Sequence, residues 1–267
     1  MKLVTFIYKN KKKIGHLCGD VDECDYADKG YVIDISTSFD YIDMLDFIEK
    51  DGINNNEVKE YIYSDKVKKY PLSEVILTAP INARSLRDAY AFRQHVETSR
   101  KNRGLEMIKE FDDFPVYYYS SIDGIVGPGD TKVDDIFMKN LDFELEVAII
   151  VSKKGINISS KEADDYIAGF MIMNDFSARH IQMKEMKLNL GPAKGKDFAT
   201  SIGPIILTPD ELIDKIEKTP SGNQYQLDME CFINNKRLSY DNLGNMSWTF
   251  AQILERISMG TTIYPGA

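Results

Sequence analysis

Three short segments hold the residues best suited to chemistry. They are RDAYAFRQHVE (87–97), with Asp88 and His95; LDFELEVAIIV (141–151), with Glu144 and Glu146; and IMNDFSARHIQ (172–182), with Asp175. Glu144 and Glu146 alternate on an expected strand, so both carboxylates project from one face and Leu145 from the other. Four carboxylates gathered in a cleft repel one another. A hard divalent cation resolves that repulsion, Mg²⁺ first, with Ca²⁺ or Mn²⁺ as alternatives. Each residue also has an ordinary reading: an ExE pair is commonly a solvated strand face, and an Asp after a strand a cap or turn. No His/Cys cluster offers zinc ligands. Imidazole titrates near neutrality, which suits His95 to general-base work.

In order, and almost in spacing, these segments match the metal and catalytic motifs of fumarylacetoacetase. The chain therefore resembles the fumarylacetoacetate hydrolase family, with MNDFSARHIQ and DFELE together as the specific signal. The similarity runs from about Pro80 to the last residue, about 70% of the chain. The resemblance implies that Asp88, Glu144, Glu146 and Asp175 ligate a metal, with His95 as the base that activates water. It also implies that Arg179, Gln182 and Lys196 bind substrate and stabilise developing negative charge, and that Tyr90 contacts substrate. Tyr118 is a further pocket candidate, although a Tyr-Tyr-Tyr run on a strand is more often core and cross-strand packing. Arg100 or Arg103 is a candidate for a substrate carboxylate, with a surface role as the alternative. His180 stands where the family commonly has an acidic residue and is expected beside the site or on the surface. Lys194 is expected to face solvent, and GPAKGK lacks the residue order of a P-loop.

The activity implied by the resemblance is metal-dependent hydrolysis of a C–C bond in a diketo acid of the fumarylacetoacetate or acylpyruvate type. Water activated by His95 attacks a carbonyl, and the metal, Arg179, Gln182 and Lys196 share the charge of the resulting enolate. Two other readings stay open. One is an isomerase, decarboxylase or dehydratase of 2-oxo or 2-hydroxy-dienoic acids; the other is an inactive, shortened chain serving as a binding or structural subunit. Family members usually continue beyond Ala267 through a Ser-Gly-Thr segment, so the catalytic domain is expected to be cut short at its C-terminus. In fumarylacetoacetase the continuation carries an oxyanion-binding Thr and the Glu that pairs with the catalytic His. Met186 stands near a substrate-contacting Tyr of fumarylacetoacetase, which argues against strict fumarylacetoacetate specificity. Family members are commonly homodimers.

Composition narrows the partners. A formal charge of −9 disfavours nucleic acid and anionic membranes. The run Lys9–Lys13 lies in a hairpin-like setting and reads as a solvated turn. Cys18 and Cys24 are too far apart for a CxxC unit, and with Cys231 they make an odd, unpatterned set of thiols, as in a reducing cytosol. No apolar run reaches membrane-spanning length. A cytoplasmic enzyme of small molecules is expected.

The elements that must position these residues suggest an α+β fold. Residues 1–75 read as a small β-rich N-terminal domain, and 76–267 as the catalytic domain, a mixed β-sandwich or β-roll. KLVTFIY (2–8), KIGHLCG (13–19) and YVIDIS (31–36) read as strands, and 41–50 as a short helix, with His16 in a structural or surface place. Pro71–Pro80 is the expected join, and 74–80 a strand. Ser85–Arg103 is expected as helix, and 114–121 and 143–152 as strands. A capping box at Ser159–Glu162 should start a helix over 161–168. A strand follows at 169–174, with Asp175 at its end. Arg179 and Gln182 share a face of a helix over 177–185. A strand is expected over 202–208, a hairpin across Asn234-Asn235, and an amphipathic helix over 247–259.

Overall fold

A computed structural model describes residues 1–19 and 30–267; Cys24 lies outside the described residues. The chain opens with β1 (Lys2–Tyr8) and β2 (Lys11–Cys18), paired antiparallel, then β3 (Tyr31–Asp34). Lys9 and Asn10 both take positive φ at the first turn, but Lys11–Lys13 of the run expected as a solvated turn lie in β2, where pairing with β1 extends them, and Lys13 meets the buried Asp34 at 2.7 Å. Two short helices follow, α1 (Met44–Glu49) and α2 (Asn56–Ile62). Asp43 caps α1 by accepting from the Asp46 amide at 2.9 Å. Strands β4 (Lys69–Pro71) and β5 (Ile76–Leu77) complete this part; the strand expected over 74–80 shrinks to two residues.

The segment expected as a helix over 85–103 is instead β6 (Leu86–Ala89) followed by α3 (Arg93–Lys101). Leu86, Ala89 and Tyr90 fit a helical period, but pairing of Leu86–Ala89 with β7 (Tyr117–Ser120) overrides it. After β8 (Ile125–Val126) and the turn-length α4 (Asp135–Met138) comes β9 (Leu141–Val151). Helix α5 (Ser160–Ala163) is shorter than expected, because Ile167 and Ala168 belong to β10 (Ile167–Ala178). Ser159 precedes α5 in extended backbone but caps no amide; its Oγ donates to Glu162 Oε2 at 3.1 Å. Next come α6 (Arg179–Glu185), β11 (Thr200–Ile202) and β12 (Ile205–Leu207). The single strand expected over 202–208 is split where Gly203 takes φ 82°, a conformation glycine tolerates. Strands β13 (Ile216–Thr219) and β14 (Gly222–Tyr225) form one hairpin; β15 (Asp228–Ile233) and β16 (Lys236–Asn242) form another. The second turns through Asn234 and Asn235, both at positive φ. Helix α7 (Phe250–Ser258) carries the capping box, Thr249 with Gln252, that sequence reading missed.

The fold is α+β. Among the described residues, ten strands form one sheet in the order β4-β3-β2-β1-β12-β10-β11-β8, with β5 on β1 and β9 on β10. Pairing is antiparallel except for β8 with β11. Strand β1 meets β12, so strands β1–β5 and the later strands share this sheet.

The long pair β9–β10 has two faces, because side chains alternate. Phe170 and Val151 join a cluster with Tyr225, Phe250, Leu254 and Ile263. Ile150, Met171 and Met173 join the opposite cluster with Leu3, Ile33 and Phe47. Along this second face the register pairs Met173 with Glu146 and Asp175 with Glu144. The face that starts as core therefore ends as carboxylates.

Candidate metal centre

Asp175 was expected at a strand end, but it lies within β10, whose last residue is Ala178. Its interior place is tolerable because Glu144 is its cross-strand partner and the pair has cations to meet. Strand β6 brings Asp88 over this end, and its partner Tyr118 on β7 comes with it. Oxygens of Asp88, Glu144, Glu146 and Asp175 all lie within 4.8 Å of one another. Tyr118 does more than line a pocket: its hydroxyl lies 2.7 Å from Asp88 Oδ2 and 3.1 Å from Asp175 Oδ2.

Two cations answer the acids. Lys196, only 2% exposed, places Nζ 2.5 Å from both Glu144 Oε2 and Asp175 Oδ2. Arg179 Nη1 stands 2.9 Å from Glu144 Oε1 and donates to Gln182 Oε1 at 2.9 Å. Its Nε donates to Asp142 Oδ2 at 2.7 Å. Asp142 was not singled out from sequence, although D-x-E-x-E alternation on β9 signals a shared face with Glu144.

The electrostatics are uneven. Burial, followed by repulsion from Asp88, Asp175 and Glu144, holds the Glu146 carboxyl well above its usual range. Burial also raises Asp88, against the Tyr118 hydrogen bond. It pushes Asp175 up to about 6 in spite of Lys196. Glu144 goes the other way: burial opposes its ionisation, but Lys196 and Arg179 outweigh it and hold the carboxyl below its usual range. Burial drives the Tyr118 phenol upward, with Asp88 and Asp175 adding to the shift. Lys196 stays protonated, since Glu144 and Asp175 overcome its burial.

Four ionised carboxylates with Lys196 and Arg179 carry a net charge of −2 (four negative, two positive). One divalent cation cancels it. Asp175 Oδ1 is buried and has no hydrogen-bond partner among the described residues, an acceptor that such a cation would satisfy. The donor set is entirely oxygen, the preference of Mg²⁺, Mn²⁺ and Ca²⁺. The residues fit a hard divalent ion.

The centre opens into a cavity of about 670 Å³. His95 lies exposed on α3 and lines it, as do Tyr90, Tyr118, Arg103 and Met186. Arg100 turns away to the Glu106 carbonyl at 2.5 Å, and Arg103 Nε donates to Ser99 O at 3.1 Å. Lys194 faces solvent and pairs with Asp197 at 2.9 Å. His180 has a buried Nδ1 without a partner among the described residues and does not line the cavity. Glu185, at the end of α6, drew no attention from sequence. It accepts from the amides of Ala193, Lys194 and Gly195 at 3.0, 2.8 and 3.1 Å. No side-chain spacing announces a carboxylate whose partners are all backbone.

The family model described as fumarylacetoacetate (FAA) hydrolase C-terminal matches residues 85–267. The mitochondrial oxaloacetate tautomerase Fahd2a of Rattus norvegicus is 30% identical over 154 residues, 57% of this chain and 45% of that protein. The oxaloacetate tautomerase YisK of Bacillus subtilis is 26% identical over 215 residues, 79% of this chain and 64% of that protein. The chain thus spans between about half and two thirds of the length of these relatives. A maleylpyruvate hydrolase of Sphingobium sp., solved with a manganese(II) ion and pyruvate, shares the fold. Its TM-score is 0.69 at 17% identity, over 100% of this chain and 86% of that one.

Proposed function

This chain belongs to the fumarylacetoacetate hydrolase family, and from that premise we propose that it is a divalent-metal-dependent enzyme of 2-oxo acids that interconverts their keto and enol forms. The observation that carries the proposal is the carboxylate cluster, with oxygens within 4.8 Å and Asp175 Oδ1 lacking a partner among the described residues. The tautomerase names of the relatives support this choice of reaction.

Asp88, Glu144, Glu146 and Asp175 would hold the ion. Bound there, the ion supplies Lewis-acid polarisation of a substrate carbonyl. Lys196 Nζ remains a cation beside the cluster and offsets charge that grows on a substrate oxygen. Arg179 engages Gln182 Oε1, which leaves the Gln182 amide N–H groups as donors for a substrate carboxylate. His95, facing the same cavity from α3, is the group we assign to take a proton from the carbon beside the carbonyl and return it. Tyr90 and Tyr118 line the path to it.

A second reading is hydrolysis of a C–C bond in an acylpyruvate-like diketo acid, with His95 activating water instead. The name of the fold-sharing maleylpyruvate hydrolase supports this second reading. Mg²⁺ as the resident ion, a homodimer and a cytoplasmic place of action complete the proposal. Among the described residues no helix is long and apolar enough to cross a membrane.

The test is loss of enol absorbance from oxaloacetate and from acetylpyruvate, with Mg²⁺, with Mn²⁺ and with chelator, followed by product analysis. Chelator-sensitive loss with the carbon skeleton intact supports the tautomerase; acetate and pyruvate formed together from acetylpyruvate and water support the hydrolase. Rates equal to the uncatalysed background for both acids, in protein saturated with Mn²⁺, refute the proposal.

A further inference from the structure

Lys196 is the buried cation of the centre, yet it sits on a loop, and a loop lysine carries enough rotamer freedom to wander unless its backbone is held. The holding group is Glu185. Its Oε2 accepts from the Ala193 and Gly195 amides at 3.0 and 3.1 Å, and its Oε1 from the Lys194 amide at 2.8 Å. These charge-assisted bonds are the strong kind. Ala193 in turn accepts, through its carbonyl, from the Lys196 amide at 3.0 Å and the Asp197 amide at 2.9 Å. Gly195 closes the clamp. Its carbonyl accepts from Ala178 at the end of β10 at 2.8 Å. A Cβ at this position would meet Gln182 N at 2.6 Å. The loop before Lys196 is thus pressed onto α6, the helix that carries Arg179 and Gln182.

We propose that Glu185 is a positioning residue for Lys196. Its carboxylate fixes the 193–195 backbone, and through it directs Nζ to Glu144 and Asp175. Glu185 belongs neither to the carboxylate cluster nor to the residues lining the cavity, and the loop it holds leads directly to Lys196. One acid on α6 thereby ties the register of Arg179 and Gln182 to that of the ammonium.

The test is Glu185→Gln. Glutamine keeps one oxygen acceptor but turns an amide NH₂ towards a backbone N–H, so at least one bond of the clamp is lost. Metal-free protein is treated with N-hydroxysuccinimidyl acetate, and acetylation of each lysine is read by peptide mass spectrometry. In wild type Lys196 is protected and Lys194, with its side chain 65% exposed, labels freely. In E185Q we expect Lys196 to label about tenfold faster, the scale of a local opening when one strong bond goes. Lys13, held at 2.7 Å from Asp34 in a distant part of the sheet, stays unchanged. Lys196 as protected in E185Q as in wild type overturns the proposal. So does an equal rise at Lys196 and Lys13, because that means Glu185 only supports the fold as a whole. Should E185Q fail to fold, Gly195→Ala displaces the same loop from its other side and is judged by the same outcomes. The consequence for catalysis rests on the proposed metal site. Mn²⁺ binding measured on the same samples separates the two: wild type that binds no Mn²⁺ removes the metal reading, while the labelling still decides the clamp.

Discussion

The proton on Asp175 offers the sharpest quantitative handle on the centre. Its carboxyl is pushed up to about 6 by burial, although Lys196 stands 2.5 Å away. A folded-state value raised above the ordinary 3.8 means the metal-free fold holds this proton more tightly than the unfolded chain. This contribution to stability is therefore present at low pH and is lost as pH rises from about 4 through about 6. A bound divalent ion needs the ionised form, so metal and proton compete. At about pH 5 roughly ten molecules in eleven carry the proton; at about pH 7 roughly one in eleven does. Apparent metal affinity should rise about tenfold across that interval, or about 1.4 kcal/mol of added stabilisation at a fixed metal excess. For a chain of this size that is roughly 3–6 °C in melting temperature. Glu146, raised by burial and by its acidic neighbours, pushes in the same direction. The assay is thermal melting in Mn²⁺ and in EDTA across this pH range. The difference between the two curves removes carboxylates elsewhere, such as Asp34, which burial pushes up but Lys13 and Thr37 hold down. In Asp175→Asn the slope should lose about one proton per ion. A difference independent of pH, or an undiminished slope in the variant, would refute the reasoning.

Three further outcomes are expected. Lys196→Met leaves Glu144 and Asp175 without their buried cation and should destabilise metal-free protein by up to about 3–5 kcal/mol at neutral pH; carboxylate protonation trims the loss, so melting in EDTA should recover as pH falls towards about 5. His95→Ala should lower turnover roughly 10²–10⁴-fold while Mn²⁺ affinity, measured by titration, changes less than about twofold, because His95 lies outside the carboxylate cluster. Asp34→Asn removes the charge that a fully buried carboxylate sets against Lys13 at 2.7 Å, while its remaining oxygen can still accept from the Thr37 amide; about 3 kcal/mol of stability should go with Mn²⁺ affinity unchanged, and a parallel loss of metal binding would disprove the separation.

Short-range pattern made much of the architecture legible. Short apolar runs bounded by turns marked β1 and β10, alternation of Glu144 with Glu146 marked β9, and the Asn234-Asn235 turn marked the second hairpin, because strand patterning and turn chemistry are local properties. The helix expected across Ser85–Ala89 misled for a definite reason: Leu86, Ala89 and Tyr90 satisfy a helical period, and only the distant Tyr117–Ser120 makes a strand the better answer. The Ser159 cap failed similarly, since its hydroxyl found the Glu162 side chain instead of an amide.

Residue type and local spacing set which residues could do chemistry. Asp88, Glu144, Glu146 and Asp175 are chemically fit for a hard ion wherever they stand, and the alternation of Glu144 with Glu146 already sets both on one face. Packing of distant segments lays Asp88, on β6, over the β9–β10 pair and brings four acids within 4.8 Å. It also turned Tyr118 from a packing residue into a hydrogen-bond bridge, buried Lys196 while leaving Lys194 in water, and gave Glu185 its three amides. The physical reason is range. Pattern and propensity act over a few residues, whereas desolvation, charge pairing and backbone hydrogen bonding across loops exist only once distant segments have met.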